Sequence, residues 1–520
     1  ARRLLDLIQL KGNEAARCLL EFIHNLEEGT IAQVTDDCLT FHKKLKNTIS
    51  AQTRFLSTYD GTENMCLEDV YTESVLELSR TKHMSDHGNG FQSTLGLHNI
   101  FSDQGIINEN ADTIIILGDA GSGKSTLLQH IQHLWARGQA FQKFCFIFPF
   151  SCRRLCCITK PICLKALLFE QCCWPDRHQE DIFQFIIDHP SQVLITFDGF
   201  DELKFSFTEE NRHCSPIEPA SIASIVFNLI EGNLMKDCMK IVTSRPDAVT
   251  MPLRKYIKKE INLRGFSEEG IETFIRKHHD NPDISRGIIS LVKNSSSLTG
   301  LCHIPVFCWI ISKCHKELIN YDYKTPQTMT DMYMLTLKHF LLHASTNLKR
   351  TQNILSERTN SVKHLGMIAL IGLHKAMYVF SPQEITKAGI TEDDLSLGFL
   401  VISKNLLDEG QTSLHYYEFL HITFQCFFAA LYIVMSDDMD SSILYQLFKW
   451  NKRETRNSLV ERLPMPCVQP VFQRQTKMKL QYIEIRNLQI TATFVAGLFS
   501  AVLNSLLVDS WKPEKTDQKM

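Results

Sequence analysis

The stretch Thr113–Trp135, TIIILGDAGSGKSTLLQHIQHLW, restricts the fold more than any other part of the chain. A short β-rich apolar run, Thr113–Leu117, leads into the pattern G-x-x-x-x-G-K-S, which ends at Ser125. Apolar side chains then recur at the spacing of a helix. A strand, a glycine loop and a helix in this order form a phosphate-binding loop. The sequence therefore predicts that the chain binds a nucleoside triphosphate.

Each part of this loop has its own predicted role. Gly118, Gly121 and Gly123 let backbone N–H groups turn towards the phosphates without a Cβ in the way. Lys124 places a positive charge on the β- and γ-phosphates, and the Ser125 hydroxyl can ligate Mg²⁺. The start of the helix adds a favourable dipole. An ordinary glycine-rich turn is the alternative, which the flanking strand and helix disfavour.

A second nucleotide motif is VLITFDGFDE, Val193–Glu202. A buried strand ends at Asp198, and Asp201 and Glu202 follow at the sheet edge where open α/β sheets bind ligands. We expect Asp198 to hold Mg²⁺ beside Ser125, and Asp201 or Glu202 to orient or deprotonate an attacking water. Acidic residues are also common in turns after strands, so the motif gains its meaning from the phosphate-binding loop upstream.

Arg245 directly follows another predicted strand, Lys240–Ser244. We expect its side chain at the same edge of the sheet, where it can sense the γ-phosphate. A solvated arginine in a turn is the alternative interpretation.

Strand and helix patterns alternate from residue 111 to about 263. Besides the strands already named, Phe144–Phe150 and Lys259–Leu263 read as strands, and Leu67–Leu78 as a helix. Strands without a polar face indicate a parallel sheet covered by helices. Helical periodicity dominates after residue 264.

Composition limits the class of protein. The 520 residues are 44% hydrophobic and 22% charged, which is ordinary for soluble globular domains. A formal net charge of −3 argues against a nucleic-acid groove as the main surface. The 17 scattered cysteines favour reduced thiols in the cytoplasm. The chain begins at Ala1 inside a helical pattern, and we expect it to be a fragment.

Cysteines between residues 152 and 173 raise the hypothesis of a zinc site. No C-x₂-C pair occurs there, and adjacent cysteines chelate poorly, so packed thiols are favoured. Cys214 lies among turn residues and is expected to be exposed. Reversible acylation at Cys214, with recruitment to membranes, is a further hypothesis.

Together, GDAGSGKST, FDGFDE and TSRPDA resemble the NACHT module of the NLR family of signalling P-loop ATPases. Further similar stretches, among them FPFSCR, LLFEQCCWPD and FLHITFQCFFAA, extend the resemblance over almost the whole chain. It implies an α/β P-loop NTPase with a STAND/AAA+-like parallel sheet. The implied domains are a partial, all-α CARD remnant at 1–48, a linker and pre-NACHT segment at 49–110, the NACHT nucleotide-binding domain at 111–263, helical domain 1 at 264–335, a winged-helix domain at 336–435 and helical domain 2 at 436–520.

The resemblance also implies roles for single residues. Thr58, Tyr71 and Thr72 are similar to the segment that closes over adenine and ribose. Pro305 is similar to a proline that packs on adenine, and His421 to a winged-helix histidine that contacts the β-phosphate of ADP. The residues that hold the phosphates would be Gly121, Ser122, Gly123, Lys124, Ser125 and Thr126. On sequence alone, His421 reads as a core histidine and Pro305 as a helix-start proline.

The function implied by the resemblance is a switch between ADP-bound and ATP-bound states of an innate immune receptor. Such a receptor would sense bacterial muramyl dipeptide through leucine-rich repeats, oligomerise through its NACHT module, and drive NF-κB and MAP kinase signalling through a CARD kinase adaptor. We expect this chain to lack the repeats and the first CARD. Slow ATP hydrolysis is compatible with such a switch. A turnover P-loop ATPase and a truncated, non-signalling regulator of such a receptor are the alternatives. No nucleic-acid partner is expected.

Overall fold

The computed structural model of the chain describes residues 36–57, 64–79, 94–203, 215–246, 251–320, 326–343, 358–403, 416–436 and 488–503. The first elements in chain order are α1 Asp36–Thr53, β1 Phe55–Ser57, β2 Asn64–Cys66, α2 Leu67–Val70, β3 Leu76–Leu78, β4 Thr113–Leu117, α3 Lys124–Ala136, β5 Phe146–Ser151, α4 Cys152–Leu155, α5 Leu164–Glu170 and α6 Gln179–Asp188. The next are β6 Val193–Asp198, α7 Ile222–Glu231, β7 Met239–Ser244, α8 Met251–Arg254 and β8 Ile257–Leu263.

The remainder is mainly helical. Its elements are α9 Glu268–Lys277, α10 Pro282–Lys293, α11 Ser296–Cys302, α12 Pro305–Lys313, α13 His315–Asn320, α14 Met329–His343, α15 Thr359–His374, β9 Val379–Phe380, α16 Pro382–Lys387, α17 Glu392–Ser396, β10 Leu400–Ser403, β11 Tyr416–Phe419, α18 Ile422–Met435 and α19 Leu488–Leu503. No helix in the described ranges combines the length and the apolar character needed to span a membrane.

The central sheet has six strands in the order β3-β8-β4-β7-β6-β5. The neighbours from β8 to β5 pair in parallel, and β3 pairs antiparallel with β8 at the edge. Every residue of β4 is buried, as expected for a strand covered by helices on both faces. The predicted parallel sheet is therefore confirmed, and the strand before the phosphate-binding loop has the predicted bounds.

The predicted helix Leu67–Leu78 is wrong beyond its first turn. Helix α2 ends at Val70, and Tyr71 leaves helical geometry with φ −57° and ψ 128°. In β3 the side chains of Leu76 and Leu78 are buried, whereas Glu77 is partly exposed. The apolar spacing of this segment fits a helix, but antiparallel pairing with β8 favours the strand.

The segment before the sheet is attached to α3, the helix after the phosphate-binding loop. The Thr53 hydroxyl lies 3.1 Å from His133 Nδ1, and His133 Nε2 lies 3.0 Å from a Glu68 carboxylate oxygen. Gln129 Nε2 donates to the Phe55 carbonyl at 2.8 Å. The predicted CARD boundary at residue 48 falls inside α1, and residues 1–35 lie outside the described ranges.

Buried apolar side chains form two separate clusters. The first core lies between residues 38 and 263 and surrounds the central sheet. The second core lies between residues 266 and 498 and joins the helices after β8 to a small antiparallel sheet of order β10-β11-β9. Helix α18 is buried along most of its length within this second core. The chain thus passes from one core to the other directly after β8.

Candidate nucleotide-binding site

The loop after β4 turns at two glycines that have left-handed backbone conformations. Gly121 has φ +81° and Gly123, the N-cap of α3, has φ +92°, values that L-residues with a Cβ rarely adopt. A Cβ at Gly121 would lie 2.5 Å from Val306 Cγ1 on α12. The loop therefore needs glycine both for its own turn and for the close approach of the second core.

The Lys124 side chain lies against this loop. Its Nζ donates to the carbonyl oxygens of Gly118 and Asp119, both at 2.8 Å. Burial lowers the pKa of Lys124 below its ordinary value, and the nearby Asp201 carboxylate opposes that shift. The Ser122 hydroxyl is buried and has no hydrogen-bond partner among the described residues. The glycine loop thus combines a lysine, an unpaired hydroxyl and a helix N-terminus. This combination suits the binding of a polyphosphate.

Asp198 lies at the end of β6 and is oriented by a neighbouring strand. Thr243 Oγ1 donates to Asp198 Oδ1 at 2.7 Å and accepts from the Gly199 N–H at 2.9 Å. Ser125 is exposed at the start of α3. A carboxylate and a hydroxyl are hard oxygen donors that suit Mg²⁺, which takes its remaining ligands from phosphates and water. The residues present therefore fit a magnesium nucleotide.

Both predicted catalytic carboxylates form ion pairs. Asp201 Oδ2 lies 2.9 Å from Arg245 Nε, and these two side chains are only about 10% exposed. Glu202 accepts two hydrogen bonds from Arg153, at 3.0 Å from Nε and 2.8 Å from NH2. The structure thus brings Asp201, Glu202 and Arg245 to one edge of the sheet, as expected. Each of them forms an ion pair there.

Arg153 connects the two cores. Its NH1 donates to Glu418 Oε2 on β11 at 3.2 Å while the rest of the guanidinium holds Glu202. Burial alone would lower the pKa of Arg153, but the Glu202 and Glu418 carboxylates raise it, so the guanidinium stays charged. Arg153 was not predicted from the sequence, although it lies two residues after β5 and Arg245 directly follows β7, so its position was a usable signal.

His421 lies close to the same group of charges. It is the N-cap of α18, and its Nδ1 accepts from the Thr423 backbone N–H at 3.3 Å and lies 2.7 Å from the Thr423 hydroxyl. Burial, together with the positive charges of Arg153, Lys124 and Arg245, lowers the pKa of His421 to about 3. The imidazole is therefore neutral at pH 7, and its hydrogen is on Nε2.

A cavity adjoins the loop. It is lined by Leu56, Val70, Tyr71, Thr72, Ser74, Gly121, Gly123, Thr126, Leu127, Phe266, Phe274, His278, Pro305, Val306 and Trp309. The predicted Tyr71, Thr72 and Pro305 are thus brought together with the loop. Thr58 lies outside the described residues. Most of the apolar wall, including Trp309, was not predicted, because apolar residues on helices also read as core.

Tyr71 is fixed from both sides of the cavity. Its ring stacks on His130 of α3, with centroids 3.6 Å apart and planes 16° apart. Lys277 Nζ of α9 donates to the Tyr71 carbonyl at 2.5 Å. Pro305 occupies the first turn of α12, where its fixed φ favours the start of a helix. Residues from both cores therefore surround one space.

None of the described cysteines between residues 152 and 173 forms a disulfide. Cys152, Cys172 and Cys173 are buried, whereas Cys157 is exposed. Burial raises the pKa of each of the three buried thiols. Within the described residues, no group of three or more histidine, cysteine or acidic side chains could hold a metal ion. Cys214 lies outside the described residues, so its acylation stays a prediction.

Three regions of the chain match known protein families. The NACHT domain matches residues 112–282, the NOD2 winged helix domain matches residues 361–419, and the NLRC4 helical domain HD2 matches residues 421–520. The domain boundaries predicted from the sequence stay predictions.

Several curated relatives are similar over nearly the whole chain. Human nucleotide-binding oligomerization domain-containing protein 2 is 48% identical over 99% of this chain and 50% of its own length. The Bos taurus protein of that name is 47% identical over 98% of this chain and 50% of its own length. Human nucleotide-binding oligomerization domain-containing protein 1 is 30% identical over 97% of this chain and 56% of its own length. The chain spans about half the length of these relatives.

A P-loop nucleotide-binding domain of NACHT type, followed by winged-helix and helical domains, defines the class of protein. The family matches and the near-complete alignments agree with the fold and with the loop geometry. The chain belongs to the NLR family of NACHT-domain proteins.

Proposed function

We propose that this chain is the ATP/ADP-dependent switch of an intracellular innate immune receptor. The observation that carries the proposal is that the two cores meet at the nucleotide site. The phosphate-binding loop and Arg153 adjoin buried residues of the first core, whereas Pro305 and His421 stand at the starts of α12 and α18, two helices of the second core. A ligand held between two bodies can favour one relative arrangement over another.

The closed state is proposed to contain ADP. The neutral His421 imidazole, with its hydrogen on Nε2, can donate to an oxygen of the β-phosphate and hold the winged-helix domain against the loop. Arg153 supports the same arrangement through its bonds to Glu202 and Glu418. Two separate contacts would thus keep the domains together.

ATP is proposed to favour an open, oligomerising state. Its γ-phosphate has to be accommodated near Arg245, which already pairs with Asp201. Competition for Arg245 would weaken an existing ion pair and shift the balance between states. Mg²⁺, held by Ser125 and Asp198, would neutralise phosphate charge in either state.

A turnover ATPase is the second candidate, and the ion pairs argue against it. A carboxylate that activates water needs lone pairs directed at that water. Asp201 is paired with Arg245 and Glu202 with Arg153, so both acids are engaged in the described arrangement. We therefore expect hydrolysis well below the roughly 1–10³ s⁻¹ of typical enzymes. Steady-state turnover in that range would support the enzyme instead.

For the whole receptor, we propose the partners that the family resemblance implies. These are self-association through the NACHT module, bacterial muramyl dipeptide as the sensed ligand, and a CARD kinase adaptor leading to NF-κB and MAP kinase signalling, all in the cytoplasm. The names of the relatives refer to nucleotide binding and oligomerisation, which supports the first of these proposals.

The test begins with mass spectrometry of nucleotide released from the purified chain. We expect ADP at close to one equivalent. Size-exclusion chromatography after exchange into a non-hydrolysable ATP analogue should then show larger species than with ADP. Absence of any bound nucleotide, together with no ADP binding in calorimetry, would overturn the proposal.

A further inference from the structure

We propose that His278 selects the nucleobase in this cavity, favouring adenine over guanine by accepting a hydrogen bond from the exocyclic amine of adenine. The inference rests on the proposed nucleotide site and names the residue that gives that site its base specificity. His278 lies at the C-terminal end of α9 and lines the cavity together with Pro305 and Trp309.

The hydrogen on the His278 ring can be assigned from one contact. Nδ1 lies 2.8 Å from the carbonyl oxygen of Phe274. A carbonyl oxygen only accepts hydrogen bonds, so Nδ1 must donate. A neutral imidazole has a single N–H, and Nε2 is therefore left with an acceptor lone pair. This nitrogen is the one that the ring can offer to a ligand.

The ring is also held in position and kept neutral. It stacks on Phe274, with centroids 3.8 Å apart and planes 24° apart. Burial lowers the pKa of His278; the bond to the Phe274 carbonyl opposes this shift, and Lys313 and Lys277 support it. At pH 7 the ring is therefore a fixed acceptor and not an imidazolium donor.

The cavity around this acceptor is mostly apolar. Its apolar lining residues include Leu56, Val70, Phe266, Phe274, Pro305, Val306 and Trp309. A hydrogen bond inside an apolar wall discriminates strongly, because a mismatched ligand leaves a buried polar group unpaired. At position 6 adenine has an amine, which donates, whereas guanine has a carbonyl oxygen, which accepts. Two acceptors would face each other if guanine took the place of adenine.

The test is isothermal calorimetry on the full chain with ADP, GDP and purine riboside 5′-diphosphate, which lacks the amine. For the unmodified chain we expect roughly tenfold weaker binding when the amine is removed, as for one buried hydrogen bond. GDP should bind more weakly still. This ligand series tests the proposal even if every variant of His278 fails to fold.

Two variants complete the test as a thermodynamic cycle. His278→Phe keeps a ring on Phe274 but removes the acceptor, so ADP and the amine-free nucleotide should bind alike. His278→Gln offers both an acceptor and a donor, so it should retain ADP binding and lose much of the discrimination against GDP. The matched control is His279→Phe. The His279 ring packs against His315, with ring centroids 5.2 Å apart, and His279 is not among the residues that line the cavity.

Three results would overturn the inference. Equal binding of ADP and the amine-free nucleotide by the unmodified chain is the first. A full tenfold difference retained in His278→Phe is the second. In both of these cases nucleotide still binds, so the proposed switch would stand. Failure of all three nucleotides to bind the unmodified chain is the third, and it would overturn the proposed function as well.

Discussion

The phosphate end and the base end of the candidate site differ in their construction. At the phosphate end, charged side chains form ion pairs, and the Arg153–Glu418 pair at 3.2 Å links the two cores. At the base end, apolar side chains from both cores surround a cavity next to the loop. This difference indicates that the two ends of the site have separate functions. ADP and ATP share a base but differ in phosphate charge, so only the charged end can distinguish them.

The physical reason is that electrostatic interactions respond to one added charge, whereas apolar contacts do not. A γ-phosphate would compete with Asp201 for Arg245, which is paired with it at 2.9 Å. The aromatic and aliphatic wall near Trp309 would experience the same base in either state. We therefore expect variants at the phosphate end to change the state of the molecule, and variants at the base end to change affinity.

The largest effect is expected for Lys124→Ala, which removes the positive charge proposed to contact the phosphates. ADP affinity should fall by about two orders of magnitude or more, since charge-assisted hydrogen bonds contribute about 1.5–3 kcal/mol each. Calorimetry measures the change. Lys255→Ala, at an exposed site away from the cavity, is the control. Unchanged ADP affinity in Lys124→Ala would mean that the base end alone supplies the binding energy.

The next effect is expected for Arg153→Ala. Arg153, Glu202 and Glu418 have 17%, 11% and 20% of their side-chain surfaces exposed, so the loss of stability should lie between the values for surface and for fully buried ion pairs, at roughly 2 kcal/mol. Here Glu202 and Glu418 would both lose Arg153. Hydrogen exchange should rise at β11, and size-exclusion chromatography should show more oligomer.

Arg154→Ala is the matched control for that variant, because Arg154 is adjacent but exposed. Equal behaviour of the Arg153 and Arg154 variants would show that the ion pairs do not hold the two cores together. The comparison between the two ends of the site would then lose its basis.

A smaller shift, of roughly 1 kcal/mol, is expected for His421→Ala, which removes a partly buried hydrogen-bonding group. The variant should dissociate ADP faster and oligomerise at lower concentration, as followed by nucleotide release and a sizing column. His374→Ala, at an exposed histidine, serves as control. An unaltered oligomer distribution would count against a latch at His421.

Pro305→Ala tests the base end. Loss of part of the apolar wall should weaken ADP and ATP binding equally, by at most about tenfold, with no change in oligomeric state. Pro282→Ala is a matched control, because Pro282 also occupies the first turn of a helix but is exposed. A change in oligomeric state for Pro305→Ala would show that the base end also senses the switch.

The last effect expected is a fall in the melting temperature of the chain as the pH is lowered. The pKa of His421 is about 3 in the folded chain, against 6.5 when unfolded, so unfolding takes up a proton between these values. Stability should be complete above pH 6.5 and fall as pH decreases towards 3. His130 and His279, whose pKa values are each about 4, act in the same direction. His421→Asn should therefore reduce the slope of melting temperature against pH, and an unchanged slope would contradict this account.

The central sheet was predictable because buried parallel strands are continuous apolar runs, and Thr113–Leu117 has the predicted bounds. Strand β3 was not predictable, since its spacing also fits a helix and only pairing with β8 decides between them. The loop, Asp198 and Arg245 were identifiable because polar residues after buried strands share one edge. His278 and Trp309 were not, because their contribution depends on how the second core packs on the first.

One close approach has a mechanical consequence. The Val306 backbone N–H donates to the Gly121 carbonyl at 3.3 Å, and the Val306 side chain fills the space in which a Cβ would lie. The turn proposed to bind phosphate is thus also the surface against which α12 packs. A displacement of that turn by the radius of a methyl group would push directly against the neighbouring domain, without any relay of intervening side chains. Any larger residue at position 121 would act as a wedge between the two bodies, whichever nucleotide is present.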